Sequence, residues 1–342
     1  MNRQILETIG LDITYNCNFR CKHCFNSSGT HNYDSEMSNE NLRKLTKDLT
    51  KLNLRGACIC GGEPLLRKKI LLEIIDIYNT GNPIQGFNMV SNGFFLDNST
   101  ARDLKSAGIN SVQISLDGAT AKTHNWLRGN TESFTRAINA INNLVENEIN
   151  VCVACVPNKK NINEIDEIIE LCSELGVTHF RMQPFMSLGR GSKMYDFLLD
   201  DEQYFLLSRK LSSKRNTINN LIIDWGDPIS HLSLYSTNKT SLKYIHISAY
   251  GDILISPYLP LKIGNIKHHS IHEYFDAGLS NILNNNFVQL LSGVITDPSK
   301  MNEQITKNFP HIFTGNDIHL DLIEDDMEEK TAFLIKKYWG EI

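Results

Sequence analysis

The sequence predicts an α/β fold: a partial, TIM-like (β/α)6 barrel followed by a smaller C-terminal α+β region made of a β-hairpin and helices. Three observations lead there. Six short apolar runs alternate with helical patterns, which implies a parallel sheet with helices outside it. Six units fall short of the eight that close a barrel, so the sheet stays open. Beyond residue 190 the alternation stops.

The strand-like runs lie near 8–14, 55–60, 86–91, 110–116, 150–156 and 178–184. Between the first two, Leu42, Leu45, Leu49 and Leu52 recur at helical spacing behind a cap at Ser38. Residues 70–78, 101–107, 134–145 and 162–175 read as further helices. Residues 195–220 carry an irregular helical face, and 241–258 read as a hairpin around Ala249-Tyr250-Gly251-Asp252. A short helix over 270–275 follows. The expected divisions are a barrel over 1–195, a helical connection over 196–240 and a tail over 241–342.

The chain has 342 residues, 41% hydrophobic and 21% charged, enough for one large core with an appended region. Thirty-four basic residues stand against 39 acidic ones, with no basic stripe of the kind a nucleic-acid binder carries. No apolar run reaches membrane-spanning length and the N-terminus lacks a signal-peptide pattern, so a cytoplasmic protein is expected. Eight cysteines are present, none after Cys172. Free thiols of this kind suit a reducing compartment.

In barrels of this class the active site gathers at the carboxyl ends of the strands. Cys17, Cys21 and Cys24 follow the first strand, and Gly61-Gly62-Glu63-Pro64 follows the second. Ser91-Asn92-Gly93 follows the third, and Ser115-Leu116-Asp117-Gly118 closes the fourth. Three thiolates in one loop favour a soft centre: zinc, copper(I) or an iron–sulfur cluster. A closed zinc site takes four protein ligands, and no second Cys-x-x-Cys completes one. Three cysteines on a four-iron cube leave one iron open. Glycine at 61 and 62 lets the backbone approach a ligand closely.

Cys17-x-x-x-Cys21-x-x-Cys24, with His23 before the last cysteine and Gly61-Gly62-Glu63-Pro64 after the second strand, resembles the radical S-adenosylmethionine (radical SAM) superfamily over about residues 8–190. The resemblance implies one 4Fe–4S cluster on the three cysteines, with S-adenosylmethionine bound to the open iron. One electron, from a donor such as flavodoxin or ferredoxin, would cleave it to methionine and a 5′-deoxyadenosyl radical that takes a hydrogen atom from a substrate carbon. It also implies that Gly61, Gly62, Glu63 and Pro64 grip the methionyl amino group. Arg128, in His124-Asn125-Trp126-Leu127-Arg128-Gly129, would pair its fork with the carboxylate. Ser115 and Asn92 are further candidates for carboxylate and ribose, and Gln183 and Leu188 for the adenine. His23 and His124 are read as orienting or structural. Cys58 and Cys60 share a strand face, whereas Cys152 and Cys155 lie on opposite faces. Buried free cysteines usually act as small hydrophobes; Cys155 is the candidate hydrogen-atom donor.

The tail carries a second resemblance, to SPASM and twitch domains: Ile247-x-x-x-Gly251-Asp252-Ile253-x-x-x-Pro257, Gly264-Asn265-Ile266 and Ile271-x-x-Tyr274-Phe275. Relatives place auxiliary-cluster cysteines where Ser256 and Tyr258 stand, so the tail is a degenerate version and its hairpin is expected to serve as a lid or substrate cradle. The resemblance favours modification of a ribosomally made peptide in natural-product biosynthesis. The cysteine loop begins at residue 17, with no leader-peptide domain before it, which weighs against a peptide. The alternatives are a nucleoside- or sugar-modifying enzyme (an epimerase, dehydrogenase or decarboxylase) and, from another class, a non-catalytic iron–sulfur sensor or scaffold.

Overall fold

Alternation along each strand sorts its side chains onto two unlike faces. In β5 (Asn150–Cys155), Val151, Val153 and Cys155 are wholly buried while Cys152 and Ala154 are half-buried. The same division holds in β2 (Gly56–Cys60), β4 (Ser111–Ser115) and β6 (His179–Met182), where Ile59, Ile114 and Phe180 lie on the covered face. The opposite face presents Cys58 and Cys60, Gln113, and Arg181. One side of the sheet is therefore an apolar floor for helices, and the other is a polar interior.

The computed structural model describes residues 6–30, 35–81, 86–237, 240–310 and 317–340. Strands β1 (Thr8–Asp12), β2, β3 (Phe87–Ser91), β4, β5 and β6 pair in parallel and in sequence order. Helices α1 (Asn39–Leu49), α2 (Lys68–Gly81), α3 (Asn98–Ala107), α5 (Ser133–Glu146) and α6 (Ile165–Glu174) make the crossovers. Their starts and stops are local. Ser38 and Asn41 form a reciprocal capping box on α1, and Asp97 caps α3, which ends on left-handed Gly108. This is the expected partial (β/α)6 barrel, with a C-terminal α+β region beyond it.

The structure goes beyond that expectation in three respects. A short helix α4 (Ala121–Arg128), capped by Thr120 and stopped by left-handed Gly129, lies between β4 and α5. A seventh parallel strand, β7 (Ile222–Trp225), follows helix α7 (Asp201–Thr217) and pairs with β6. After α8 (Ser230–Ser236), the C-terminal hairpin of β8 (Tyr244–Ile247) and β9 (Asp252–Leu254) joins the same sheet, because β8 pairs in parallel with β1. The resulting ten-stranded sheet has β7 at one edge and a two-residue strand, Gly264–Asn265, at the other.

The sheet curls strongly. Cys152 on β5 feels the charge of Cys58 on β2 across the interior. Tyr258, just past β9, feels Cys60, Arg181 and Asp12 together. The tail thus lies over the gap between the two edges of the open barrel. Among the described residues no helix is long and apolar enough to cross a membrane.

Ile245 on β8 is fully buried and paired in register with Ile9 of β1. Ile245→Ala is expected to cost about 2–5 kcal/mol of global stability, as for other large-to-small core changes. Urea denaturation should show a lower midpoint in one cooperative transition; a separate early step confined to the tail would mean that the hairpin is not part of the barrel core.

Candidate active site at the carboxyl ends of the strands

The cysteine loop leaves the end of β1 and is held from three sides. Glu36 accepts hydrogen bonds from the Tyr15 N–H (2.6 Å) and the Thr14 hydroxyl (2.8 Å). The Lys22 N–H donates to the carbonyl of Leu127 on α4 at 2.9 Å. Arg190, beyond β6, donates from Nε to the Cys21 carbonyl and from a terminal nitrogen to the Ser28 carbonyl, each at 2.8 Å. Its own N–H reaches the Cys24 carbonyl at 3.0 Å. Neither Glu36 nor Arg190 was singled out in the sequence, since nothing local marks either as a clamp.

Gly61 and Gly62 bring β2 close to the loop's own main chain. A Cβ on Gly62 would sit 2.1 Å from the Asn16 carbonyl oxygen, and one on Gly61, at φ +124°, 2.2 Å from that of Thr14. The room they leave is filled by residues 14–16, to which the N–H groups of Gly62 and Glu63 donate at 2.7 and 2.9 Å. Glu63 is fully buried; it accepts from the N–H groups of Leu65 (3.1 Å) and Asn92 (2.8 Å) and from the Ser91 hydroxyl (3.0 Å). Burial lifts its carboxyl to about 7 against those donors. Glu63 therefore ties the end of β2 to the end of β3, and Pro64 opens the short 3₁₀ turn that it caps.

Donors converge on the sulfurs. The Phe19 N–H lies 3.4 Å from Cys17 Sγ, and Asn92 Nδ2 lies 3.9 Å from the same atom. A terminal nitrogen of Arg128 lies 3.9 Å from Cys21 Sγ. Cys17 feels both Cys21 and Cys24, and burial pushes its thiol up to about 12. Burial also raises Cys21, with Arg128 opposing it. The buried side-chain nitrogen of Asn18 has no partner, although the Asn18 oxygen accepts from Asn92 at 2.8 Å. Among the described residues no three His, Cys, Asp or Glu side chains converge closely enough to hold a single metal ion. A four-iron cube spreads its cysteines over different irons and does not require that convergence. Three mutually close thiols, each of two receiving a donor, and an orphaned amide beside them fit such a group.

Arg128 and Asp117 form a buried pair behind the loop. Arg128 Nε and Nη2 lie 2.6 and 2.5 Å from Asp117 Oδ2. Burial works against the Arg128 charge, but Asp117 and the Cys21 sulfur outweigh it and hold its pKa above the usual arginine range. Burial likewise opposes the Asp117 charge, and Arg128 overcomes it. The Nε edge of the fork that the resemblance directs to the S-adenosylmethionine carboxylate is occupied by Asp117, leaving Nη1 facing the sulfurs. Asp117 also accepts from the Val156 N–H at 2.9 Å and lies 4.0 Å from His23 Nε2. Its N–H donates to His124 Nδ1 at 3.1 Å. Burial, then Arg128, lowers His23 to about 4 and His124 to about 3, so both are neutral. Asp117 was visible in the sequence only as part of a turn.

The remaining candidates are dispersed. Ser115 ends β4 on the interior face and Gln183 follows β6 on the interior side. Leu188 is buried at the start of the turn that carries Arg190. Cys155 is wholly buried on the helix-covered face, in contact with Asn161, and the interior thiol of β5 is Cys152. Cys58 and Cys60 face the interior with their sulfurs 3.3 Å apart.

Residues 11–172 match the model of the radical SAM superfamily. The chain is 29% identical over 274 residues to the mycofactocin maturase MftC of Mycobacterium tuberculosis, covering 78% of this chain and 66% of that protein. It is 30% identical over 266 residues to the sporulation killing factor maturation protein SkfB of Bacillus subtilis, covering 77% and 63%. The chain thus spans just under two thirds of the length of these relatives. Its fold is similar to that of Streptococcus suis SuiB bound to S-adenosylmethionine, with a TM-score of 0.66 at 15% identity over 83% of this chain and 68% of the other.

Asp117→Asn keeps an acceptor for the Val156 N–H but leaves the Arg128 charge buried without its counterion. The expected loss is about 3–5 kcal/mol in denaturant unfolding, and a loss below 1 kcal/mol would show that Arg128 is solvated without it. Gly62→Ala is expected to fold but to lose most of its iron on reconstitution, because the new methyl displaces the Asn16 main chain that leads into Cys17. Wild-type iron content in that variant would place the loop's support elsewhere.

Proposed function

We propose that this chain, whose residues 11–172 match the model of the radical SAM superfamily, is an enzyme that cleaves S-adenosylmethionine reductively and abstracts a hydrogen atom from a carbon of a peptide substrate. Cys17, Cys21 and Cys24 would hold one 4Fe–4S cluster, and when bound it supplies the electron that breaks the sulfonium bond. The observation that carries the reading is three thiols in one loop at the strand ends, near enough to feel one another, with donors from Phe19, Asn92 and Arg128 on two of them.

The protein's own residues supply placement. Glu36, Arg190 and the Leu127 carbonyl fix the loop through hydrogen bonds to its main chain. Arg128, fixed on Asp117, offers its remaining nitrogen beside Cys21, where it stabilises negative charge on sulfur. Phe19 packs edge-on against Phe94, and Phe25 packs against Tyr258, so the loop is flanked by aromatic rings that limit water. A peptide substrate is supported by the two maturases among the relatives and by the open, polar interior beneath the site. An electron donor of the flavodoxin or ferredoxin type would complete the cycle.

The test is anaerobic incubation of the reconstituted protein with dithionite and S-adenosylmethionine, followed by quantitation of 5′-deoxyadenosine. The wild type is expected to release it. Cys21→Ala is expected to lose both the brown absorbance and the product, since no fourth thiol lies in the loop. An intact wild-type cluster without product would favour a sensor or scaffold instead.

A further inference from the structure

Among the described residues, three ionic groups on the inner face of the sheet, from buried Asp12 to exposed Asp224 on the edge strand, differ in one respect. Asp12 is bonded to His246 at 2.8 Å, and His246 in turn meets the Tyr244 hydroxyl at 2.9 Å. Asp224 is turned to His179 at 2.7 Å. Arg181, the cross-strand neighbour of Asp224, makes no hydrogen bond or ion pair with any described residue. Its guanidinium is half-buried and lies over Gly226, where a Cβ would stand 2.5 Å from Arg181 Nε and 3.0 Å from Gln183 Cγ. A larger residue there would displace both side chains from this position.

Tyr258 is near enough to feel the Arg181 charge, and its hydroxyl has no hydrogen-bond partner among the described residues. Its ring packs 5.7 Å from that of Phe25, the residue after Cys24. Burial, then Cys60, lifts the phenol to about 12, so it is a donor at neutral pH. A guanidinium and a phenol near one another, neither bonded to an acceptor among the described residues, together suit an anion with two oxygens.

We propose that Arg181 and Tyr258 bind a carboxylate of the substrate inside the open barrel, beside the cysteine loop. The proposal rests on the reading above only for the statement that a substrate enters this space. Arg181 takes the carboxylate through its fork, and Tyr258 donates to it from the tail. The tail therefore contributes a substrate contact at the position where the resemblance would put an auxiliary-cluster cysteine. The carboxylate belongs either to an acidic side chain of a peptide or to a free acid.

Equilibrium titration on the reconstituted protein loaded with S-adenosylmethionine tests this without turnover. One probe is a capped alanine pentapeptide with a central glutamate, compared with its glutamine counterpart. The other is 3-phenylpropionate, compared with its amide. At least one carboxylate is expected to bind about ten- to a hundredfold more tightly than its amide, and which one does identifies the source. Arg181→Gln is expected to abolish that preference, Arg181→Lys to keep part of it, and Tyr258→Phe to weaken it severalfold. Iron content and S-adenosylmethionine affinity report that each variant is folded and loaded. The proposal fails if neither carboxylate is preferred over its amide, or if the preference survives Arg181→Gln. It also fails if Arg181→Gln loses S-adenosylmethionine itself, which would assign the guanidinium to the cofactor. Release of 5′-deoxyadenosine by the wild type is a separate measurement, so loss of the enzymatic reading and loss of the anchor are told apart.

Discussion

A fully buried carboxylate, Asp117, is the point on which the site turns. A charge in that position must be matched, and Arg128 matches it through two nitrogens on one oxygen. The other oxygen takes the Val156 N–H at the end of β5, and the Asp117 main chain meets His124 and Asn161. One side chain thus links β4, α4 and β5, and α4 in turn supports the cysteine loop through the Leu127 carbonyl. The third nitrogen of Arg128 is left beside Cys21, so the same pairing that satisfies Asp117 aims a positive charge at the sulfurs.

The open sheet gives that rim its access to substrate. A closed barrel of this class fills its interior with branched apolar side chains. Here the interior of the strands carries Asp12, Cys58, Cys60, Gln113, Cys152 and Arg181, and the apolar residues are reserved for the helix-covered face. A polar interior is costly to close dry. The hairpin paired with β1 carries the chain to Tyr258, which packs next to Phe25. The tail is therefore part of the main sheet and lines the interior at Tyr258.

Much of this was legible along the chain. Six strands and five helices of the barrel follow from periodicity and from local stops such as Ser38, Asp97 and Gly108, because those signals act within a few residues. The spacing of Cys17, Cys21 and Cys24 determined that three thiols would share one loop, since a loop of that length cannot disperse them. Helix α4 was missed because its run of polar residues shows no apolar stripe, and β7 because only Ile223 of its four residues is buried, while Ile222 faces solvent.

What only the tertiary structure decided are the pairings between residues far apart in sequence. The sequence offered Arg128 as a clamp for a ligand, and packing sets its Nε and Nη2 on Asp117 while Nη1 stays beside Cys21. Gly61 and Gly62 were required, but by the main chain of residues 14–16, which β1 and β2 bring within van der Waals range. Arg190 holds the carbonyl of Cys21 from 169 positions away. Arg181 reads in sequence as one more strand arginine, and becomes an unpaired cation only when β7 supplies Gly226 beneath it and the tail supplies Tyr258 opposite. Periodicity and spacing are properties of the chain; which charge meets which, and which is left to meet a ligand, depends on the curvature that brings the strand ends together.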